Sequence, residues 1–269
     1  MKSHGNNTGK TQSVSYSDYS WVEMKELIAR DAVAVLPVGS TEQHGRHMAI
    51  CTDDHMAQRW AYDSAERARE QLDCPVLVLP GIHFGNAVHH MRFPGTITLS
   101  FETLKALTSE VVQSLIDHGF RKIVILNVHG GNRHAVRAAA VDIYARNRRE
   151  QPQLHLRVAE DCDPDLNPLI HAREALAEHS QEARNRSMVH GGALETAKML
   201  YLKPEVVDLA KCEETAVAPD SRQEVLFYDE KTPLGSMGDP AEATVEAGRI
   251  MWEALVGSFT EYLVELGRK

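Results

Sequence analysis

The chain has 269 residues, with 29 Lys and Arg against 38 Asp and Glu and a formal net charge of -9. That length suits one sizeable core, and the acidic balance argues against a nucleic-acid footprint or an anionic membrane surface, leaving a small molecule as the expected partner. Cys51, Cys74, Cys162 and Cys212 are scattered with no C-x-x-C pair, so neither a thiolate zinc site nor a disulfide framework is suggested, and a reducing cytoplasm fits.

Residues 1–16 are rich in Ser, Asn, Gly, Lys and Thr, lack the apolar core of a secretory signal, and read as a disordered tail. No apolar run reaches the roughly 18 residues of a membrane span. A single domain is expected over 17–269. Ser17 or Asp18 is placed to cap a helix to about Ala29, with Trp21, Met24, Leu27 and Ile28 at helical spacing. A strand follows from Ala32 to Val38, then a helix from about Asp54 to Leu72 and a strand from Val76 to Leu79. After a Gly- and His-rich loop, Gly81 to Thr96, a helix from Phe101 to His118 stops at Gly119. The strand Lys122 to Val128 leads through a Gly130-Gly131-Asn132 turn into a helix from about Arg133 to Arg148, and Leu154 to Ala159 reads as a further strand. Residues 161–187 read as helical and peripheral, a lid or a contact surface. A helix from Gly192 to Leu202 ends before Pro204. The last helix is expected from Ala241 to about Leu266, with Asp239 as its cap and Pro240 at its first position. Strands alternating with helices predict an α/β fold whose mostly parallel central sheet is flanked by helices on both faces.

Potential metal ligands gather at the ends of apolar segments. Glu42, His44 and Asp53 follow the first strand, His129 follows the strand that begins at Lys122, and Glu195 lies in His190-Gly191-Gly192-Ala193-Leu194-Glu195-Thr196. Ligands of open α/β sheets bind outside the carboxyl ends of strands, so these clusters can share one crevice. In extended backbone Glu42 and His44 point the same way. A carboxylate such as Asp53 has two oxygens with which to bridge a pair of cations. An oxygen and nitrogen ligand set of this kind suits Zn, Mn, Fe or Co.

The motifs GSTEQHG with the following Asp53, HHMRFPGT from His89, NVHGGN, HGGALET and GDPAEAT resemble, in order, those of the creatininase family, over about Trp21 to Leu255. The resemblance implies an α/β fold with a parallel sheet and two divalent metal ions per chain. It also implies hydrolysis of a carbon-nitrogen bond by a metal-bridging hydroxide, commonly in a small cyclic amide, formamide or short peptide, and homo-oligomers with hexamers among them. Carried over, it makes Glu42 and His44 ligands to different metals, Asp53 the bridge and His129 a further ligand. The family's namesake has a glutamate two residues beyond its ligand histidine, where this chain has Gly131, so Glu195 is expected to complete the second metal's shell. Its substrate-holding tryptophans also lack counterparts, since Trp21, Trp60 and Trp252 lie in other segments, which points away from creatinine.

His190 is the candidate general acid and base, beside the alternative that it only orients Glu195; an unperturbed histidine near pH 6.5 can both accept and donate. His89 and His90 are expected to line the substrate pocket or to form a surface pair. Asn132 is placed on the substrate side too, and with His47 also suits orienting the ligands. The same metal site would serve cleavage of a carbon-carbon bond in a cyclic diketone-like sugar or inositol derivative, or of a peptide bond. A non-catalytic metal-binding scaffold is the reading from another class.

Overall fold

The computed structural model describes residues 13–160, 190–213 and 227–269. The peripheral segment expected over 161–187 lies outside them. Four parallel strands, β1 (Val33–Val38), β2 (Val76–Val78), β3 (Lys122–Asn127) and β4 (His155–Glu160), form a sheet in the order β2-β1-β3-β4. Val33 pairs with Val76 on one side and Lys122 on the other, and Lys122 pairs with His155. Helix α2 (Thr52–Arg69) links β1 to β2, α3 (Phe101–His118) carries the chain across to β3, and α4 (Arg133–Asn147) leads to β4.

Every residue of β1 and β3 is buried, as the unbroken Val, Ile and Leu runs require of strands covered on both faces. Alternation then sorts them. Val33, Val35, Val124 and Leu126 pack with α2 and with two later helices, α5 (Ala193–Leu202) and α7 (Val245–Gly267). Ala34, Leu36, Ile123 and Ile125 pack with α3, α4 and α1 (Trp21–Ala29). Each large side chain buried this way contributes about 2 kcal/mol. Among the described residues, no helix is long and apolar enough to cross a membrane.

Several boundaries differ from expectation for identifiable reasons. The first helix starts at Trp21, because Ser20 and Glu23 form a reciprocal capping box and residues 16–18 are a separate 3-10 turn. Trp21 is consequently 80% exposed and does not belong to the apolar face. The tail expected to run to Tyr16 is too long: Val14 is buried, its carbonyl accepts from Val78 N at 2.7 Å, and the Tyr16 ring packs on Phe120. The last helix begins at Val245 under a Thr244 cap, whereas Asp239 and Pro240 serve a separate turn over Pro240–Glu242.

The first crossover leaves β1 toward β2 and the second returns past it to β3, so a crevice opens beyond the carboxyl ends of β1 and β3. Gly39 sits at the β1 exit, where a side chain would press on the Asp54 backbone at 2.5 Å. Its absence lets the start of α2, with Asp53 in the first turn rather than ahead of the helix, lie directly against that exit.

Candidate metal centre

Three separate segments meet in this crevice. Glu42 and His44 come from the loop after β1, Asp53 from α2 and His129 from the end of β3, all buried. His44 Nε2 is 3.2 Å from Asp53 Oδ1, and His129 Nδ1 is 3.1 Å from Asp53 Oδ2, so the two oxygens of one carboxylate face two imidazoles. His129 Nε2 lies 3.1 Å from Glu42 Oε2, which also accepts from the Ser40 hydroxyl at 2.8 Å. Glu195, on the first turn of α5, brings Oε2 to 3.9 Å from His44 Nε2, and that oxygen accepts from Gly191 N at 2.7 Å. His190 completes the rim, its ring 4.3 Å from that of His44.

These residues fit divalent cations. Glu42 Oε1, His44 Nε2 and Asp53 Oδ2 are buried with no hydrogen bond of proper geometry, a cost of about 1–3 kcal/mol each unless a cation takes them up. Glu42, His44 and Asp53 offer ligand atoms within 4.8 Å of one another, as do His44, His190 and Glu195. Backbone carbonyls hold the rings: the N–H at His44 Nδ1 donates to Glu42 O at 3.1 Å, and that at His129 Nε2 donates to Asn86 O at 3.2 Å. Each ring is left with one nitrogen facing Asp53, the usual way a protein presents an imidazole to a metal.

The electrostatics describe the same place with protons where cations would sit. Burial alone would lower the His44 pKa, but Asp53, Glu195 and Glu42 raise it to about 10. His129 likewise resists burial and rises to about 9 through Glu42 and Asp53. Burial pushes Glu42 up to about 7, while Asp53 is held low against its burial by His44 and His129. Because both imidazoles carry protons below about pH 9 and ligate only when neutral, cation binding must expel them. Zinc titration of the metal-free protein at pH 7 is expected to release protons, on the order of one from each of His44 and His129, with affinity climbing as pH rises. Calorimetry in buffers of different ionisation enthalpy measures this; no buffer dependence would disprove it.

His89 and His90 both reach the site, with ring centroids 4.3 Å apart, and His90 Nε2 stands 3.2 Å from Glu42 Oε1. Burial lowers His89 to about 4. Asn132 departs from the substrate contact expected of it. Fully buried, it donates from Nδ2 to Gly39 O at 2.9 Å and accepts from Asn86 N at 2.8 Å, clamping the loops after β1 and β2 together. His47 donates from Nε2 to Thr196 Oγ1 at 2.9 Å, and Thr196 donates to Gly192 O at 2.8 Å, which ties the loop of His44 to the start of α5.

Two residues escaped the sequence reading. Tyr228, opening the short helix α6 (Tyr228–Lys231), stacks on His90 at 4.1 Å and meets His190 edge-on at 4.7 Å. Burial, then Glu195, Glu42 and Asp53, raises its pKa, so the phenol stays protonated beside the carboxylates. Gln43 was passed over between two candidate ligands, yet its side chain reaches His90 and Gly235. Neither carries a local signal, since a lone Tyr in a polar segment and a Gln within a turn are common on any surface.

A family model described as "Creatininase: Creatinine amidohydrolase" matches residues 17–263. The creatinine amidohydrolase of Pseudomonas putida is 27% identical over 269 residues, covering 95% of this chain and 98% of that protein. The mycofactocin precursor peptide peptidase of Mycolicibacterium smegmatis is 28% identical over 236 residues, covering 86% and 84%. A solved structure described as "Creatininase Mn" superposes with a TM-score of 0.79 at 26% identity, covering 94% of this chain and 98% of that one.

Proposed function

Because this chain belongs to the creatininase family, we propose that it is a hydrolase with two divalent ions per chain that opens a carbon-nitrogen bond in a small cyclic amide or formamide. The observation that carries the reading is Asp53, buried between His44 and His129 with one carboxylate oxygen toward each. Glu42, His44, Asp53, His129 and Glu195 would hold the cations. Zinc, manganese and iron all suit these donors. Cations bound there supply an ionised water and polarise the scissile carbonyl.

The chain's own residues do the rest. His190 donates from Nε2 to Gln43 O at 2.7 Å, which leaves the lone pair of Nδ1 directed toward the carboxylates, 3.8 Å from Glu42 Oε1. Burial and the neighbouring His44 keep this ring neutral. Nδ1 accepts a proton as the carbonyl is attacked and returns it to the departing nitrogen, which is a poor leaving group without it. Glu195, steadied by Gly191 N, sets a carboxylate oxygen 3.9 Å from His44 Nε2.

The likeness to a peptidase favours a peptide bond as the second reading. A cytoplasmic setting and a homo-oligomer, such as a hexamer, belong to the same proposal; among the described residues Cys51, Cys74 and Cys212 form no disulfide. Zinc- or manganese-loaded protein given panels of lactams and formamides, peptides and cyclic diketones is expected to turn over the first, with chelator abolishing it. Chelator-sensitive turnover of peptides or diketones alone reassigns the bond, and turnover that survives chelation refutes the metal mechanism.

A further inference from the structure

Four histidine rings stand against the carboxylate cluster, and three are anchored alike. His44, His129 and His190 each donate one N–H to a backbone carbonyl, of Glu42, Asn86 and Gln43 respectively, so each turns its other nitrogen toward the carboxylates. His90 is the exception. Its Nδ1 meets an amide donor, Gln43 Nε2, at 2.8 Å.

The orientation of that amide is determined by its other partners. Gln43 Oε1 accepts from Gly45 N at 2.9 Å, and Nε2 donates to Gly235 O at 2.9 Å. Turning the carboxamide over would set oxygen against oxygen and N–H against N–H. One hydrogen of Nε2 goes to Gly235 O, and the other is left for His90 Nδ1. The 3.1 Å approach of the same nitrogen to His190 Nε2 brings two donors together and is not a hydrogen bond, because His190 Nε2 already donates to Gln43 O. Gly235 has φ +79, and any side chain there would overlap Gln43 Oε1, so this turn is shaped around the carboxamide.

His90 Nδ1 is therefore an acceptor, and a neutral ring then carries its hydrogen on Nε2, 3.2 Å from Glu42 Oε1. We infer that Gln43 fixes His90 as the Nε2–H tautomer, which bars it from ligating a cation and leaves it a neutral wall of the pocket, its N–H beside Glu42 Oε1 but outside hydrogen-bond geometry. By distance alone His90 rivals His129, whose nearest Glu42 contact is 3.1 Å, and Glu42, His90 and His190 form a group close enough to hold an ion. Gln43 removes that group from contention and reserves Glu42 for the pocket shared with His44 and Asp53. The buried, uncharged state expected of His90 agrees, since burial and His190 hold its pKa down. The use of this device rests on the metallohydrolase reading, whereas the tautomer itself does not.

Long-range proton-nitrogen correlation spectra of 15N-histidine protein, metal-free and zinc-loaded, read the tautomer directly, with the His90 signals assigned by their loss in His90→Gln. The parent protein is expected to show His90 protonated at Nε2 in both states. Gln43→Glu replaces the donor with an acceptor of the same shape and is expected to move the hydrogen to Nδ1. His190, bound to the backbone carbonyl of residue 43, stays unchanged as the internal control. Gln43→Met removes the donor without adding a buried charge and is expected to give mixed His90 tautomers, with folding checked by thermal unfolding. It carries the test should Gln43→Glu fail to fold. A parent His90 protonated at Nδ1, a zinc-bound Nε2, or an unaltered His90 in a folded Gln43 variant overturns the inference. If zinc does not bind, the metal-free spectra still decide it, and the failure falls on the proposed function.

Discussion

Asp53→Ala is expected to lose the proposed paired-cation site and, with it, turnover by on the order of a thousandfold, the scale seen when a charge-stabilising element is removed from a buried site. Asp53 alone among the carboxylates places one oxygen near each of His44 and His129, at 3.2 Å and 3.1 Å. Glu42 and Glu195 cannot substitute. Glu42 is occupied on the far side by Ser40 and His129, and Glu195 remains 3.9 Å from His44 while bound to Gly191 N. Removing Asp53 also leaves His44 and His129 facing each other without the charge that most raises the His44 pKa, so the metal-free variant should hold its protons more weakly as well. Metal content by mass spectrometry, measured beside activity, checks both halves. Full occupancy with undiminished turnover in Asp53→Ala would rule out its position as the bridge.

How much of this was legible depended on whether the information was local. The continuous apolar runs of β1 and β3 announced buried strands, and Gly119, left-handed at φ 110, announced the end of α3 at His118. The ligand-type residues were legible because polar groups that end an apolar strand have few structural reasons to be there. The start of α1 was less so, because Ser17, Asp18 and Ser20 all suit a cap and the reciprocal bond to Glu23 decided for Ser20. Asn132 looked like a pocket residue from its place after His129. Its partners, Gly39 and Asn86, are 93 and 46 residues away in sequence, which no local pattern encodes. The same holds for Gln43 and Gly235, separated by 192 residues, and for Tyr228 against His90. Ligand types follow from motif; which atom of each ligand faces the pocket follows from tertiary contacts.

That distinction sets the second large effect, at His190. His190→Gln keeps an amide N–H able to reach Gln43 O but deletes the lone pair of Nδ1, so the proton carrier is removed while the anchor survives. Turnover is expected to fall by about 10²–10⁴-fold in kcat, with KM nearly unchanged, because general acid-base catalysis acts in the transition state rather than on substrate binding. Metal content should persist, since Asp53, His44, His129 and Glu42 remain. A substrate whose departing nitrogen is stabilised by an electron-withdrawing ring needs little protonation, so the variant should recover most of its rate on it. Loss of metal from His190→Gln would instead make Nδ1 a ligand, in keeping with its grouping with His44 and Glu195. An equal deficit on good and poor leaving groups would take the proton transfer away from His190 and leave it the role of orienting Glu195.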